Sequence, residues 1–262
     1  MRSQSLCRCL FALLGLGLMT SSYAHMPYLL PNAFDATGRD HVSVIGSFSE
    51  ALFVADVALK SDRYTITTPS GQTLPIAQVS YLKDLAAFEV ATPENGLYRI
   101  STGERLGRKS KMQQKADGGW EFLDEHSAPA TGKVVEVQSV TSSDVYVIRG
   151  KSNTTALQPT GVGVELKLVT SPINIVANQP AQAELLFQGK PLANADVIIY
   201  RGTLDGQGNK EFSFKSDAQG KLAFTVPTAG IYLALIRHRT EAPAGSETPW
   251  RSYTYTLTFA AE

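Results

Sequence analysis

The chain has 262 residues, 43% of them hydrophobic and 18% charged, and its 24 basic side chains are balanced by 24 acidic ones. A formal charge of zero argues against nucleic acid or an anionic membrane surface as the main partner. Two cysteines and four histidines exclude a cysteine-rich zinc site or an iron–sulfur cluster.

In chain order, the first element expected is a cleaved secretory signal peptide over residues 1–24. Arg2 and Arg8 give it a positive start, Leu10 to Met19 an apolar run, and Ser22 and Ala24 the small residues of a cleavage site. The run is shorter than the roughly 20 residues that span a bilayer, and no later stretch approaches that length. Cleavage after Ala24 removes both cysteines, Cys7 and Cys9, so burial alone must hold the exported chain together. It also makes His25 the new first residue.

Strands and turns are expected almost everywhere beyond that point. Alternating or β-branched runs lie at 41–48, 63–68, 86–91, 97–102, 133–140, 145–149 and 164–170. Further runs follow at 181–188, 195–201, 211–215, 221–226, 231–238 and 253–259, most with Gly, Pro, Asn or Asp close to one end. No window sustains a helical period. The pattern predicts an all-β chain of two β-sandwich domains, immunoglobulin-like or transthyretin-like, at 25–155 and 160–262. The polar stretch Gly150 to Thr155 marks the boundary. Between 103 and 132 strand signals are few. A basic cluster (Arg105, Arg108, Lys109, Lys111, Lys115) opens that segment and an acidic one (Glu121, Asp124, Glu125) closes it. It is expected as a long charged excursion, either functional or simply solvated.

The second half is punctuated by Gly189-Lys190-Pro191, then Asp217-Ala218-Gln219-Gly220, then Gly230-Ile231-Tyr232. That order resembles small transthyretin-like or carboxypeptidase-regulatory-like sandwiches, a likeness of fold that says little about function. A wider resemblance covers nearly the whole chain after the leader. It rests on Ala24-His25, Pro31-Asn32 with Phe34, Gly46-Ser47-Phe48-Ser49-Glu50 and Gly96-Leu97-Tyr98-Arg99-Ile100. Pro159-Thr160-Gly161-Val162-Gly163-Val164-Glu165-Leu166, His238 and Trp250-Arg251-Ser252-Tyr253 complete it. In this order the motifs resemble a bacterial periplasmic family filed as a domain of unknown function. Its members are labelled nickel- or cobalt-uptake-associated and stand in places beside TonB-dependent receptors. The resemblance implies transition-metal binding in the periplasm, in support of a metal importer.

The histidines are the candidates for that chemistry. His25, as a first residue, offers an α-amine and an imidazole Nδ1 that can chelate one ion of copper or nickel. The α-amine titrates near 7.7–8.0 when unperturbed, so metal displaces its proton easily at neutral pH. His238 is the preferred partner, because Tyr232, Ala234, Ile236 and His238 share one face of a strand that ends at a sandwich rim. His41, which opens the run at 41–48 and could lie near His25, and His126, in the charged excursion, are further candidates. Both also suit a structural or solvated role. Glu50 is a possible carboxylate ligand or a salt-bridge partner, and Met26 a soft ligand or a packed side chain.

Catalytic signatures are missing: no nucleophile elbow, phosphate loop or His-Glu-x-x-His helix is present. Asp205-Gly206-Gln207-Gly208-Asn209 lacks the ligand pattern of a calcium loop and is expected as a turn. Three functions follow. The chain is a metal-binding accessory protein carrying nickel, cobalt or copper; or a non-metal envelope module that binds a receptor or glycan; or an oxidative copper enzyme.

Overall fold

The computed structural model describes residues 25–116, 118–123, 127, 129–151, 153–202 and 210–262. The leader expected at 1–24, the acidic pair Asp124 and Glu125, His126 and the turn expected at Asp205 to Gly208 lie outside them.

The first part of the chain forms β1 (Met26–Pro31), β2 (His41–Ser49), β3 (Val57–Ala58), β4 (Thr65–Thr67) and β5 (Thr73–Pro75). β6 (Ser80–Tyr81), β7 (Ala86–Ala91), β8 (Gly96–Ser101), β9 (Arg105–Gln114), β10 (Trp120–Leu123) and β11 (Val134–Arg149) follow. The second part forms β12 (Val164–Leu168), β13 (Ala181–Phe187), β14 (Lys190–Pro191) and β15 (Asp196–Arg201). It ends with β16 (Lys210–Lys215), β17 (Lys221–Phe224), β18 (Gly230–Glu241) and β19 (Trp250–Ala261). The fold is all-β, as the alternation requires. Among the described residues no helix is long and apolar enough to cross a membrane.

The strands make three layers. One outer sheet runs β1-β2-β7-β6 with β3 beside β2, and the other holds β12, β13, β14 and β17. Between them lies a sheet of order β16-β15-β18-β19-β11-β8-β4-β5, with β9 beside β11 and β10 beside β9. Strand alternation sends successive side chains to opposite faces of this middle layer. On β18, Tyr232, Ala234 and Ile236 enter the core shared with Leu166 and Leu185 of the second outer sheet. Leu233 and Leu235 turn the other way and pack on Met26 and Tyr28 of the first. On β11, Val145 and Val147 meet Leu29, Val42 and Val44 on that same side.

β11 and β19 pair in parallel, from Val137 opposite Trp250 to Val145 opposite Thr258. This pairing joins strands from both expected halves in one middle layer. Two expectations are corrected here. The runs at 133–140 and 145–149 are one continuous strand. The polar Thr141-Ser142-Ser143-Asp144 between them stays extended because it pairs with Thr254 to Leu257, while the Ser143 N–H and one oxygen of Asp144 find partners. The excursion at 103–132 contains the hairpin of β9 and β10. β9 pairs with β11 through its backbone while many of its side chains remain in solvent, so it shows no apolar alternation.

The turn chemistry expected in the second half is present. Gly220 has φ +74°, and Asp217 Oδ1 accepts from the backbone N–H groups of Gln219 and Lys221, each at 2.8 Å. The two Gly-x-Tyr segments act alike. Tyr98 Oη donates to the Glu94 carbonyl at 2.8 Å, and Tyr232 Oη to the Thr228 carbonyl at 2.6 Å. Each ring thus ties its strand to the turn four residues earlier, as a tyrosine corner does.

Candidate functional site

β1 begins at the rim of the first outer sheet. Met26 is buried against Leu233 and Leu235, and Pro27 is held by Thr256, whose Oγ1 donates to its carbonyl at 2.8 Å. Met26 is therefore a packed side chain. The residue before it, His25, lies half-exposed beside Glu50, with Nε2 3.7 Å from Glu50 Oε1. Register brings these two together. Met26 stands opposite Ser49 in the antiparallel pair, and His25 and Glu50 are the next residues outward. The Glu50 backbone N–H donates to Asp56 Oδ2 at 2.7 Å, which anchors the turn carrying the carboxylate. Since Nε2 faces the carboxylate, Nδ1 is the nitrogen left on the side of the His25 main chain. That is the nitrogen an amino-terminal chelate needs.

His238 does not join this corner. It shares a face with Ile236, and its ring packs on Phe187 with centroids 4.6 Å apart, beneath the second outer sheet. Met26, next to His25, packs on the opposite face of the same layer. The expected pairing of His25 with His238 is thereby corrected: the middle sheet separates them. Burial pushes the His238 pKa below the usual imidazole value, consistent with a neutral packed ring.

His41 stands at the other end of β2. Eight residues separate it from Ser49, a distance of about 26 Å along an extended strand. Its Nδ1 is 2.6 Å from Asp40 Oδ1, and that contact raises its pKa. His41 therefore stands far from His25 along the strand. His126 lies outside the described residues. Of the described candidates, His25 and Glu50 are the two that meet. Among the described residues no group of three or more His, Cys, Asp or Glu is placed to hold a metal ion.

The second notable cluster was not expected from the sequence. Arg99 of β8, Asp144 of β11 and Glu165 of β12 are buried together between the middle sheet and the second outer sheet. Arg99 Nε and one terminal nitrogen donate to Asp144 Oδ2 at 3.1 and 2.6 Å, and that same nitrogen reaches Glu165 Oε1 at 3.2 Å. Tyr255 Oη also donates to Asp144 Oδ2, at 2.8 Å. Glu165 holds the linker, accepting from Thr160 N–H and Oγ1 at 2.8 and 2.9 Å and from Gly161 N–H at 2.8 Å. Burial opposes the Arg99 charge, yet Asp144, Tyr146 and Tyr255 together raise its pKa well above the ordinary guanidinium value. Burial, with Asp144 adding to it, pushes the Tyr255 phenol up, so it stays a donor. The available signal was a charged residue inside each of two apolar strand runs, Leu97-Tyr98-Arg99-Ile100 and Val164-Glu165-Leu166.

The family model described as Domain of unknown function (DUF4198) matches residues 22–240. No curated protein matches the chain. Among solved structures, the adhesin InvE of Yersinia pseudotuberculosis is 13% identical, with a TM-score of 0.20 over 90% of this chain and 58% of its own. Trypsin-activated alpha-2-macroglobulin from Escherichia coli is 10% identical, with a TM-score of 0.24 over 90% of this chain and 16% of its own. A DUF3823 family protein from Bacteroides uniformis is 11% identical, with a TM-score of 0.19 over 91% and 100%. This chain thus spans little more than half of the adhesin and a small part of the macroglobulin.

Proposed function

This chain belongs to the DUF4198 family of unknown function, and we propose that it is a periplasmic accessory protein that carries a transition metal at its processed amino terminus. The observation that carries this reading is the approach of the His25 ring to Glu50, at the first residue after a segment with leader character. The α-amine and Nδ1 of His25 would hold the ion. Glu50, on the far side of the ring, would accept the Nε2 proton, fix the tautomer and raise the basicity of Nδ1.

Two nitrogen donors of this kind suit copper(II) or nickel(II), with cobalt a third candidate. They leave coordination positions open. That arrangement serves a carrier better than a store, because a receiving protein can add its own ligands before the first two let go. The partner that fits is a metal importer or a TonB-dependent receptor. An oxidative copper enzyme is a weaker reading, because its second histidine would have to come from the other face of the middle sheet.

The test is native mass measurement of the periplasmic chain during titration with copper(II), nickel(II) and cobalt(II). A chain starting at His25 should take up one ion. His25→Ala, or a chain with one extra residue ahead of His25, should bind at least about 100-fold more weakly, and Glu50→Gln about 10-fold. Equal affinity in the extended chain and the processed one would overturn the reading.

A further inference from the structure

A cavity of about 450 Å³ lies between the middle sheet and β12, and neither His25 nor Glu50 lines it. Arg99, Asp144 and Tyr255 form one part of its wall, Glu104 another, and Pro75 and Val162 supply apolar surface. That volume falls within the range that encloses a small organic molecule.

Two carboxylate oxygens of the lining residues lack a donor among the described residues. Asp144 has only 1% of its side chain exposed, and all three of its bonds go to Oδ2. Oδ1 is buried and accepts from no described residue. Glu104 Oε1 is buried without a donor too. It lies so close to Gly163 that a Cβ added there would stand 2.2 Å from it, so only glycine leaves this carboxylate its place. An uncompensated buried carboxylate oxygen is costly, and two of them belong to residues that line one cavity. The charge count points the same way. The Arg99 guanidinium serves both Asp144 and Glu165, so the triad retains one negative charge before Glu104 is added.

We propose that this cavity binds a small organic cation, an ammonium or amidinium group on a short apolar body, whose N–H donors complete Asp144 Oδ1 and Glu104 Oε1. A cation of that class supplies two or three donors from one nitrogen centre and cancels one of the two excess negative charges. The body lies against Pro75 and Val162. A bare divalent ion fits less well, because among the described residues no group of three or more His, Cys, Asp or Glu is placed to hold one. This inference is independent of metal binding at His25.

The experiment is calorimetric and NMR titration of the full chain with cyclohexylamine, with cyclohexanol as the neutral isostere and calcium as the inorganic cation. The amine should saturate one site, bind at least tenfold more tightly than the alcohol, and shift the resonances of Arg99, Tyr255 and Thr160. Glu104→Gln, which keeps the triad intact, should weaken the amine at least fivefold while melting no lower than the parent. Equal binding of amine and alcohol, or no binding of either, would overturn the proposal. Calcium binding that shifts the same resonances in place of the amine would overturn it as well. His25→Ala should leave the amine titration unchanged, which separates this site from the amino-terminal one.

Discussion

The Arg99 guanidinium grips a single oxygen of Asp144, at 3.1 Å through Nε and 2.6 Å through a terminal nitrogen, and leaves the other oxygen without a donor. The same guanidinium reaches Glu165 across the gap between two sheets, so one side chain connects β8, β11 and β12. Glu165 in turn fixes the backbone at Thr160 and Gly161. This buried group thus pins the linker between the two halves onto the middle sheet.

Replacing Arg99 should cost far more than an ordinary core change. Arg99→Met leaves two buried carboxylates without their cation, a loss of about 3–5 kcal/mol. Arg99→Met combined with Asp144→Leu and Glu165→Leu should recover part of that loss, because the unpaired charges go with it. Urea unfolding of the single and triple variants tests this. A single variant as stable as the parent would show that the triad adds nothing to the fold.

Glu104 gives a pH signature. Burial raises its folded-state pKa, with Glu165 adding to the shift and Arg63 and Arg251 opposing it. The folded chain therefore holds this proton more tightly than the unfolded one. Stability from this source is complete below the unfolded value and falls as pH rises through the folded one. Glu104→Gln should gain stability over the parent at pH 7 and gain little or nothing at pH 4. Melting temperatures of both proteins across that window check the sign.

His238 runs the opposite way. Burial lowers its folded-state pKa, so the unfolded chain takes up a proton first as the solution is acidified. Stability is full above the unfolded pKa near 6.5 and declines as pH falls through the folded one. His238→Phe keeps a ring on Phe187 and should match the parent at pH 8 while exceeding it at pH 5. Metal affinity at His25 should be unaffected by this change. A loss of metal binding in His238→Phe would mean that the two histidines cooperate despite the sheet between them.

Gly220 should not tolerate a side chain. Its φ of +74° lies in the left-handed region, and an added Cβ would stand 2.7 Å from the Leu185 carbonyl oxygen. Gly220→Ala is expected to destabilise the second outer sheet by more than about 1 kcal/mol. Denaturant unfolding compared with Gly118→Ala separates the two causes. Gly118 has φ +82° but open space around its missing Cβ, so its cost should be the smaller.

Much of the fold was legible because strand alternation is a local property. β7 at Ala86–Ala91 coincides with its expected run, and β8, β13 and β15 differ from theirs by a residue at one or both ends. β1 and β9 escaped notice for different reasons. Met26-Pro27-Tyr28-Leu29-Leu30-Pro31 is apolar nearly throughout and carries two prolines, because it is covered on both faces. β9 is charged because one stretch of it faces water, and only its pairing with β11 keeps it extended. The candidate site divides in the same way. His25 and Glu50 stood out as residues, but that they meet depends on a register set by Met26 opposite Ser49.

Turn chemistry and the face that each side chain takes were written in the order of the residues. Gly220 needs its positive φ, the tyrosines at 98 and 232 follow their glycines, and His238 follows Ile236 in the alternation. These depend on neighbours a few bonds away, which sequence alone specifies. The tertiary structure alone decided that β11 lies parallel to β19, that His238 and Met26 occupy opposite faces of one sheet, and that Arg99 meets Asp144 and Glu165. Such contacts join residues far apart in the chain. They are chosen by which arrangement buries the most apolar surface while leaving the fewest charges unpaired, a balance that no local pattern contains.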